Sequence, residues 1–208
     1  MLLIFTVFIV GKTYGQTDSI AYSNSLVLKE GIYFNFSDFK QNKAFPAQKI
    51  NSDLDKSSID FFSNLVQKKT ILLKDSGKAE RRISKDQLWG FCQNGSIYYQ
   101  IQGDFIKIPI LGRLSHFVHY TVTAGSGNSY APFYYNNANF ETTNIDEYIM
   151  DGASGVLYDF SVKNMEKLLE ADSVLSAEFS QLKSKKKKDL KFLYVRKYNE
   201  KHPLYFFK

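Results

Sequence analysis

The sequence predicts an α+β fold, an antiparallel β-meander of about six to eight short strands packed with C-terminal helices. Three observations predict it. Short apolar runs alternate with period two between residues 29 and 122, as at Ile32, Phe34 and Phe36 or at Ile106, Ile108 and Ile110. The dipeptide Asn94-Gly95 sits between two such runs and marks a tight hairpin, because both residues tolerate positive φ. From Ser161 onward the spacing changes to three and four residues, the period of an amphipathic helix.

The elements follow in chain order. Met1 to Val10 is an unbroken apolar run with the length of a signal-peptide h-region, too short to span a bilayer. Thr13 and Gly15 are small enough for signal peptidase and place cleavage before Gln16, although no Lys or Arg precedes the run. No cysteine follows that a lipid could modify. Residues 17–28 read as a polar lead-in. Gly31 to Phe36 is a strand, and Ser37 caps a single helical turn over residues 37–42, with Pro46 either ending that turn or marking the extended stretch after it. Residues 51–58 are loop. Thr70 to Leu73 and Glu80 to Ile83 are strands around the turn Asp75-Ser76-Gly77-Lys78. Gln87 to Cys92 and Ser96 to Ile101 form the Asn-Gly hairpin, and a second turn at Gln102-Gly103-Asp104 leads into Phe105 to Ile110. After Gly112 the strand pattern resumes over Leu114 to Val122. Ala124 to Tyr130 is a glycine-rich loop, and Pro132 to Phe140 has no clean period. Glu147 to Met150 and Val156 to Phe160 make the last hairpin. Ser161 then caps a helix over residues 162–170, and Asp172 or Ser173 caps the next, with Leu175, Phe179 and Leu182 on one side. Leu190, Leu193 or Tyr194, and Tyr198 extend the stripe, with Asp189 an alternative cap for a separate last helix that Pro203 ends. The expected organisation is a leader over 1–15 and a single domain over 16–208, β-rich across 29–160 and helical across 161–202.

Composition narrows the function classes. Aromatic residues are 16% of the chain, which fits a β-rich globular core and excludes a disordered chain. Cys92 is the only cysteine, so no intramolecular disulfide forms, and its place in an apolar strand pattern points to an inert buried thiol. The net charge of +6 is concentrated at Lys183, Lys185, Lys186, Lys187, Lys188, Lys191, Arg196, Lys197 and Lys201. Such a run is either a solvated helix face or a contact for an anionic surface, the lysines 185–188 being the candidates. In an exported chain nucleic acid is not the expected partner.

Candidate sites are few. His116 and His119 are the close histidine pair, but three residues apart on a strand they point to opposite faces and cannot grip one metal. A third ligand would have to come from Asp104, His202 or a distant carboxylate. Ser126, in Ala124-Gly125-Ser126-Gly127, lacks the strand-to-helix context of a nucleophile elbow. Asp104, Asp146, Glu147 and Asp151 are the carboxylates within reach of glycosidase chemistry, though only their separation in space would make them evidence. No phosphate loop, dinucleotide fingerprint or zinc spacing occurs. No metal, cofactor or catalytic residue is therefore expected. Tyr120, Tyr130, Phe133, Tyr134 and Tyr135 gather around the glycine-rich loop, either as core over a sheet edge or as a patch that binds a sugar or a protein.

Three stretches carry a family pattern: Gly31-Ile32-Tyr33 with Phe36, Asp38-Phe39 and Asn42; Trp89-Gly90-Phe91 with Asn94-Gly95, Tyr98, Phe105, Ile108 and Gly112; and Leu168-Leu169 with Asp172, Phe179, Leu182, Tyr198-Asn199-Glu200 and Pro203-Leu204. Together they resemble an uncharacterised family of exported Bacteroidota proteins, with the usual proline after the asparagine displaced here to Pro46. The resemblance implies export and a single domain and carries over no activity. The expectation is an exported, periplasmic or extracellular protein without a transmembrane anchor. Its partner would be a protein or glycan of the cell envelope. The alternative is a small exported hydrolase acting on an envelope polymer.

Overall fold

The computed structural model describes residues 18–23, 26–74, 80–125 and 140–207. The leader, the turn Asp75–Lys78, Ser126, Tyr130, Phe133, Tyr134 and Tyr135 lie outside the described residues. The chain begins with β1 (Ser19–Ala21), β2 (Gly31–Tyr33), α1 (Phe36–Lys40), β3 (Ile50–Asn51) and α2 (Phe61–Leu65). Strands β4 (Thr70–Leu73), β5 (Arg81–Ser84), β6 (Gly90–Gln93), β7 (Ser96–Ile101) and β8 (Asp104–Lys107) follow. Two twelve-residue strands, β9 (Leu114–Gly125) and β10 (Phe140–Asp151), lead to the short β11 (Leu157–Asp159). The chain closes with α3 (Val162–Leu169), α4 (Ser173–Ser180), α5 (Ser184–Lys201) and β12 (Tyr205–Phe207). The class is α+β, with antiparallel strands and C-terminal helices.

Among the described residues the strands divide among four sheets in the orders β2-β6-β7-β8, β3-β4-β5, β11-β10-β9 and β1-β12. The turns explain the division. Asn94 and Gly95 have φ of 52° and 67°, and Gln102 and Gly103 have 52° and 90°. Positive φ at both central residues matches the right-handed twist of a hairpin and holds β6, β7 and β8 in one meander. Between β5 and β6 the chain instead forms a 3-10 turn over Lys85–Gln87, capped by Ser84, whose Oγ accepts from Asp86 N. The strand expected from Gln87 therefore begins only at Gly90.

Other local differences have similarly short-range causes. Asn35 rather than Ser37 caps α1, its side chain accepting from Asp38 N at 2.9 Å. Helix α2 was not legible, because five residues carry too little period to be recognised. Asp189 does not start a new helix, since α5 runs unbroken through it. Beyond Pro203 the chain is extended, and β12 pairs with β1 inside the expected polar lead-in. Ser161 caps α3 as expected, and of the two candidates for α4 it is Asp172, not Ser173, that caps it.

Among the described residues three hydrophobic clusters form the interior. One joins α2 and β3–β5 to Phe91, and a second joins β2, α1 and β6–β7 to Phe117, Met150 and Phe206. The third packs Leu114, Ile149 and Phe160 against α3–α5. The base of the β9–β10 hairpin is covered on both faces. His116 and Ile149 face the helices, while Phe117, Tyr148 and Met150 face the meander.

The side chain of Asn199 ties helix α5 to the backbone of β9. Asn199 Oδ1 accepts from Leu114 N at 2.7 Å, and Asn199 Nδ2 donates to Leu114 O at 2.9 Å. The amide thus serves as one residue of a neighbouring strand. Gly112 makes room for it, because a Cβ there would lie 2.5 Å from Asn199 Nδ2. Nearby, Lys40 is buried, donates to Gly152 O at 2.9 Å, and lies over the Phe206 and Phe207 rings. Burial pushes its pKa down to about 8, with the Arg113 charge acting in the same direction.

Two outcomes are expected from these contacts. Asn199→Ala strands a buried N–H and C=O of Leu114, and should cost about 2 kcal/mol. That corresponds to a fall in Tm of roughly 4–8 °C for a chain of this size, and thermal denaturation followed by circular dichroism checks it. For Lys40, a folded pKa below its unfolded value means that the unfolded chain binds more protons between about pH 8 and pH 10.5. Stability contributed by this site therefore rises with pH across that window. The parent protein should gain stability relative to Lys40→Met as pH is raised from 7 to 10, read as a difference in Tm.

Candidate binding cleft

A cleft of about 310 Å³ lies between α2, the β7–β8 hairpin and the edge of β9. Its floor is aromatic. Phe91 on β6 and Tyr98 on β7 are directly paired across the strands, and their rings stack at 4.6 Å with 8° between planes. Phe105 on β8 closes on Phe91 at 5.5 Å, and Phe62 of α2 supports Phe91 from the far side at 6.2 Å. Tyr98 and Phe105 are only partly buried and reach the opening. Ser63, Val66 and Gln67 from α2 and the residues following it, Lys85 from the 3-10 turn, and Tyr120 from β9 complete the walls.

Polar groups around this floor are fixed from behind. Gln93 is buried and clamps α2, accepting from Ser63 N at 3.0 Å and donating to Ser63 Oγ at 2.8 Å. Asp104 is 63% exposed at the rim, and its Oδ2 accepts from Nε2 of His119, which is 1% exposed, at 3.1 Å. With Nε2 bonded to the carboxylate, His119 Nδ1 is buried without a hydrogen-bond partner among the described residues. The histidine holds the carboxylate from inside the fold, and the carboxylate faces the cleft.

The remaining sequence candidates are scattered. His116 points to the opposite face of β9 from His119, its ring 4.5 Å from Phe160 and 4.4 Å from Phe192, and burial lowers its pKa. The two histidines cannot share a metal, and among the described residues no group of three or more His, Cys, Asp or Glu could hold one. Asp151 is taken up by Arg113, Ala153 N and Ser154 Oγ at the β10–β11 turn. Asp146 and Glu147 lie at a separate open depression with Asp159 and Ser161. Asp104 is thus the one carboxylate among the described residues lining the cleft. A polar depression of about 290 Å³ between Glu30, Lys56 and Asn94 lacks a comparable exposed aromatic floor.

Cys92 is fully buried, and desolvation pushes its thiol up to about 12, so the thiolate needed of a nucleophile is not formed at neutral pH. Of the lysine run, Lys187 is bound to Glu166 at 2.7 Å, whereas Lys185, Lys186 and Lys188 are exposed.

Sequence reading found Tyr120 and weighed Asp104, but missed Phe91, Tyr98 and Phe105 as a shelf. The signal was present, because the Asn94-Gly95 turn fixes the register Gln93↔Ser96, Cys92↔Ile97, Phe91↔Tyr98. Ser63, Gln67 and Lys85 carried no such signal, since they reach the cleft only through tertiary packing. Comparison with protein-family models, curated proteins and solved structures finds no match.

Proposed function

We propose that the chain is an exported, non-catalytic binding protein whose cleft takes a saccharide unit of a cell-envelope glycan. The observation that carries this reading is the aromatic floor beside a single carboxylate held by a buried histidine. Sugar rings present C–H faces that stack on aromatic surface, and their paired hydroxyls suit a carboxylate, an amide and an ammonium such as Asp104, Gln67 and Lys85. Export rests on the apolar run Met1–Val10 and on the family resemblance. Among the described residues no helix is long and apolar enough to cross a membrane.

The contact between His119 and Asp104 also favours a second reading, a small hydrolase acting on the same polymer. Two-carboxylate glycoside hydrolysis needs a partner for Asp104 across the bond, and the described lining supplies none. The binding reading is therefore preferred.

Titration calorimetry with peptidoglycan fragments and envelope oligosaccharides tests it. Asp104→Asn should weaken the bound saccharide about tenfold, the loss expected for one charged hydrogen bond worth about 1.5 kcal/mol. Tyr98→Ala should weaken it further by removing the stacking surface. Equal affinity in parent and both variants would remove the cleft from consideration. Release of new reducing ends by the parent but not by Asp104→Asn would establish the hydrolase instead.

A further inference from the structure

We infer that the saccharide unit taken by the cleft is a uronic acid, whose ring carboxylate pairs with Lys85; the inference rests on the binding reading above and narrows it. Among the described residues two charged side chains line the cleft, Lys85 and Asp104, and they differ in what they lack. Asp104 is exposed at the rim and already accepts from His119 Nε2. Lys85 is half-buried, and its ammonium has no hydrogen bond, ion pair or ring contact among the described residues. The acid next to it in sequence, Asp86, is taken up in the cap of the 3-10 turn, where its Oδ2 accepts from Ser84 Oγ at 3.3 Å. Of the two charges in the cleft, Lys85 is therefore the one with an unmet partner. The partner a lysine ammonium holds most strongly is an anionic oxygen.

The surroundings carry the same sign. Lys107 stands opposite Tyr98 across the β7–β8 pair and two residues beyond Phe105, so it lies on the sheet face that forms the aromatic floor. It is exposed and has no ion pair among the described residues. Lys69, whose carbonyl accepts from Lys85 N at 3.2 Å, is likewise exposed and unpaired among them. These free cations border the floor, while the nearby acids Asp86 and Asp104 are both engaged. A further donor stands in the wall. Ser63 Oγ accepts from Gln93 Nε2 at 2.8 Å, which leaves its own O–H to donate.

Stacking decides which part of a sugar these groups read. A pyranose lying on Tyr98 and Phe105 turns its C–H face to the rings and its substituents outward to the walls. Asp104 then accepts from hydroxyls on one part of that edge, and Lys85 meets what the edge presents elsewhere. A hydroxyl gives the ammonium one neutral acceptor. A carboxylate gives it a charged pair in a cleft that is partly screened from water, where opposite charges attract more strongly. One ammonium matches one carboxylate, whereas a doubly charged phosphate would set its second charge against Asp104.

Titration calorimetry with matched trisaccharides tests the inference. The probes are oligomers of glucuronic, galacturonic and mannuronic acid, each set against the same chain with its carboxyls reduced to hydroxymethyl groups. The quantity read is the ratio of neutral to acidic Kd within a pair. For at least one pair the parent protein should bind the acidic member about tenfold more tightly, the gain expected when a neutral acceptor becomes a charged one. That advantage should shrink as salt is raised. Lys85→Gln should bring the ratio close to one, Lys85→Arg should keep most of it, and Lys85→Glu should push it below one. Circular dichroism confirms that each variant is folded. Equal affinity within every pair, a preference for the neutral members, or an acid preference that Lys85→Gln leaves unchanged would overturn the inference, and the saccharide reading would stand. No binding of any member, acidic or neutral, would overturn both.

Discussion

The paired hydrogen bonds between the Asn199 amide and the backbone of Leu114 join the helical layer to the start of β9. Leu114 opens β9 immediately after the chain leaves the meander, and on the side of β9 away from β10 no strand lies beside it among the described residues to satisfy its N–H and C=O. A buried backbone pair left open is costly, so some group must stand in for the missing strand. The helix supplies it, and so sets where α5 sits along β9. Two further constraints follow from that position. Gly112 must lack a Cβ for the amide to approach, and the His116 ring, two residues along the strand from Leu114, meets Phe192. The helical layer is tied to the hairpin by this contact and by Lys191, which reaches Glu147 and Phe160 O, and the space between is filled by apolar packing.

The base of the β9–β10 hairpin is the wall that both layers share. Leu114 and Ile149 face the helices while Phe117 and Met150 face the meander, so neither side can slip by one residue without exposing the other. Double coverage also explains the polar residues within it. His119 is buried because it faces the meander, and it is useful there because β8 brings Asp104 to its Nε2. The feature most relevant to binding thus arises where a strand of one sheet passes the end of another.

Much of this was legible in the sequence, and unevenly so. The meander was readable because Asn94-Gly95 and Gln102-Gly103 state their own geometry, and the helices because Ser161 and Asp172 are strong caps ahead of periodic apolar residues. Helix α2, the 3-10 turn before β6 and the β1–β12 pair were not, since each is too short to carry a period and exists only because neighbours pack on it. The cleft divides along the same line. Its aromatic floor follows from hairpin register, whereas Ser63, Gln67 and Lys85 arrive from elements whose placement is purely tertiary. Lys40 was not foreseen at all, as nothing in the local sequence marks a lysine as destined for the interior.

The long hairpin has one more consequence. At Leu114 to Phe117 both of its faces are covered, but Tyr120, Val122 and Ile145 farther along are each about 60% exposed. Beyond that point, among the described residues, its two strands pair only with each other, and a two-stranded ribbon alone is only marginally stable in water. Local opening free energies must therefore fall steeply along β9, from values near those of global unfolding at the clamped end to values near zero at the far end. The cleft edge at Tyr120 sits on that gradient. A ligand held there would be ordering a strand as well as occupying a space, and part of its affinity would be spent as lost backbone entropy.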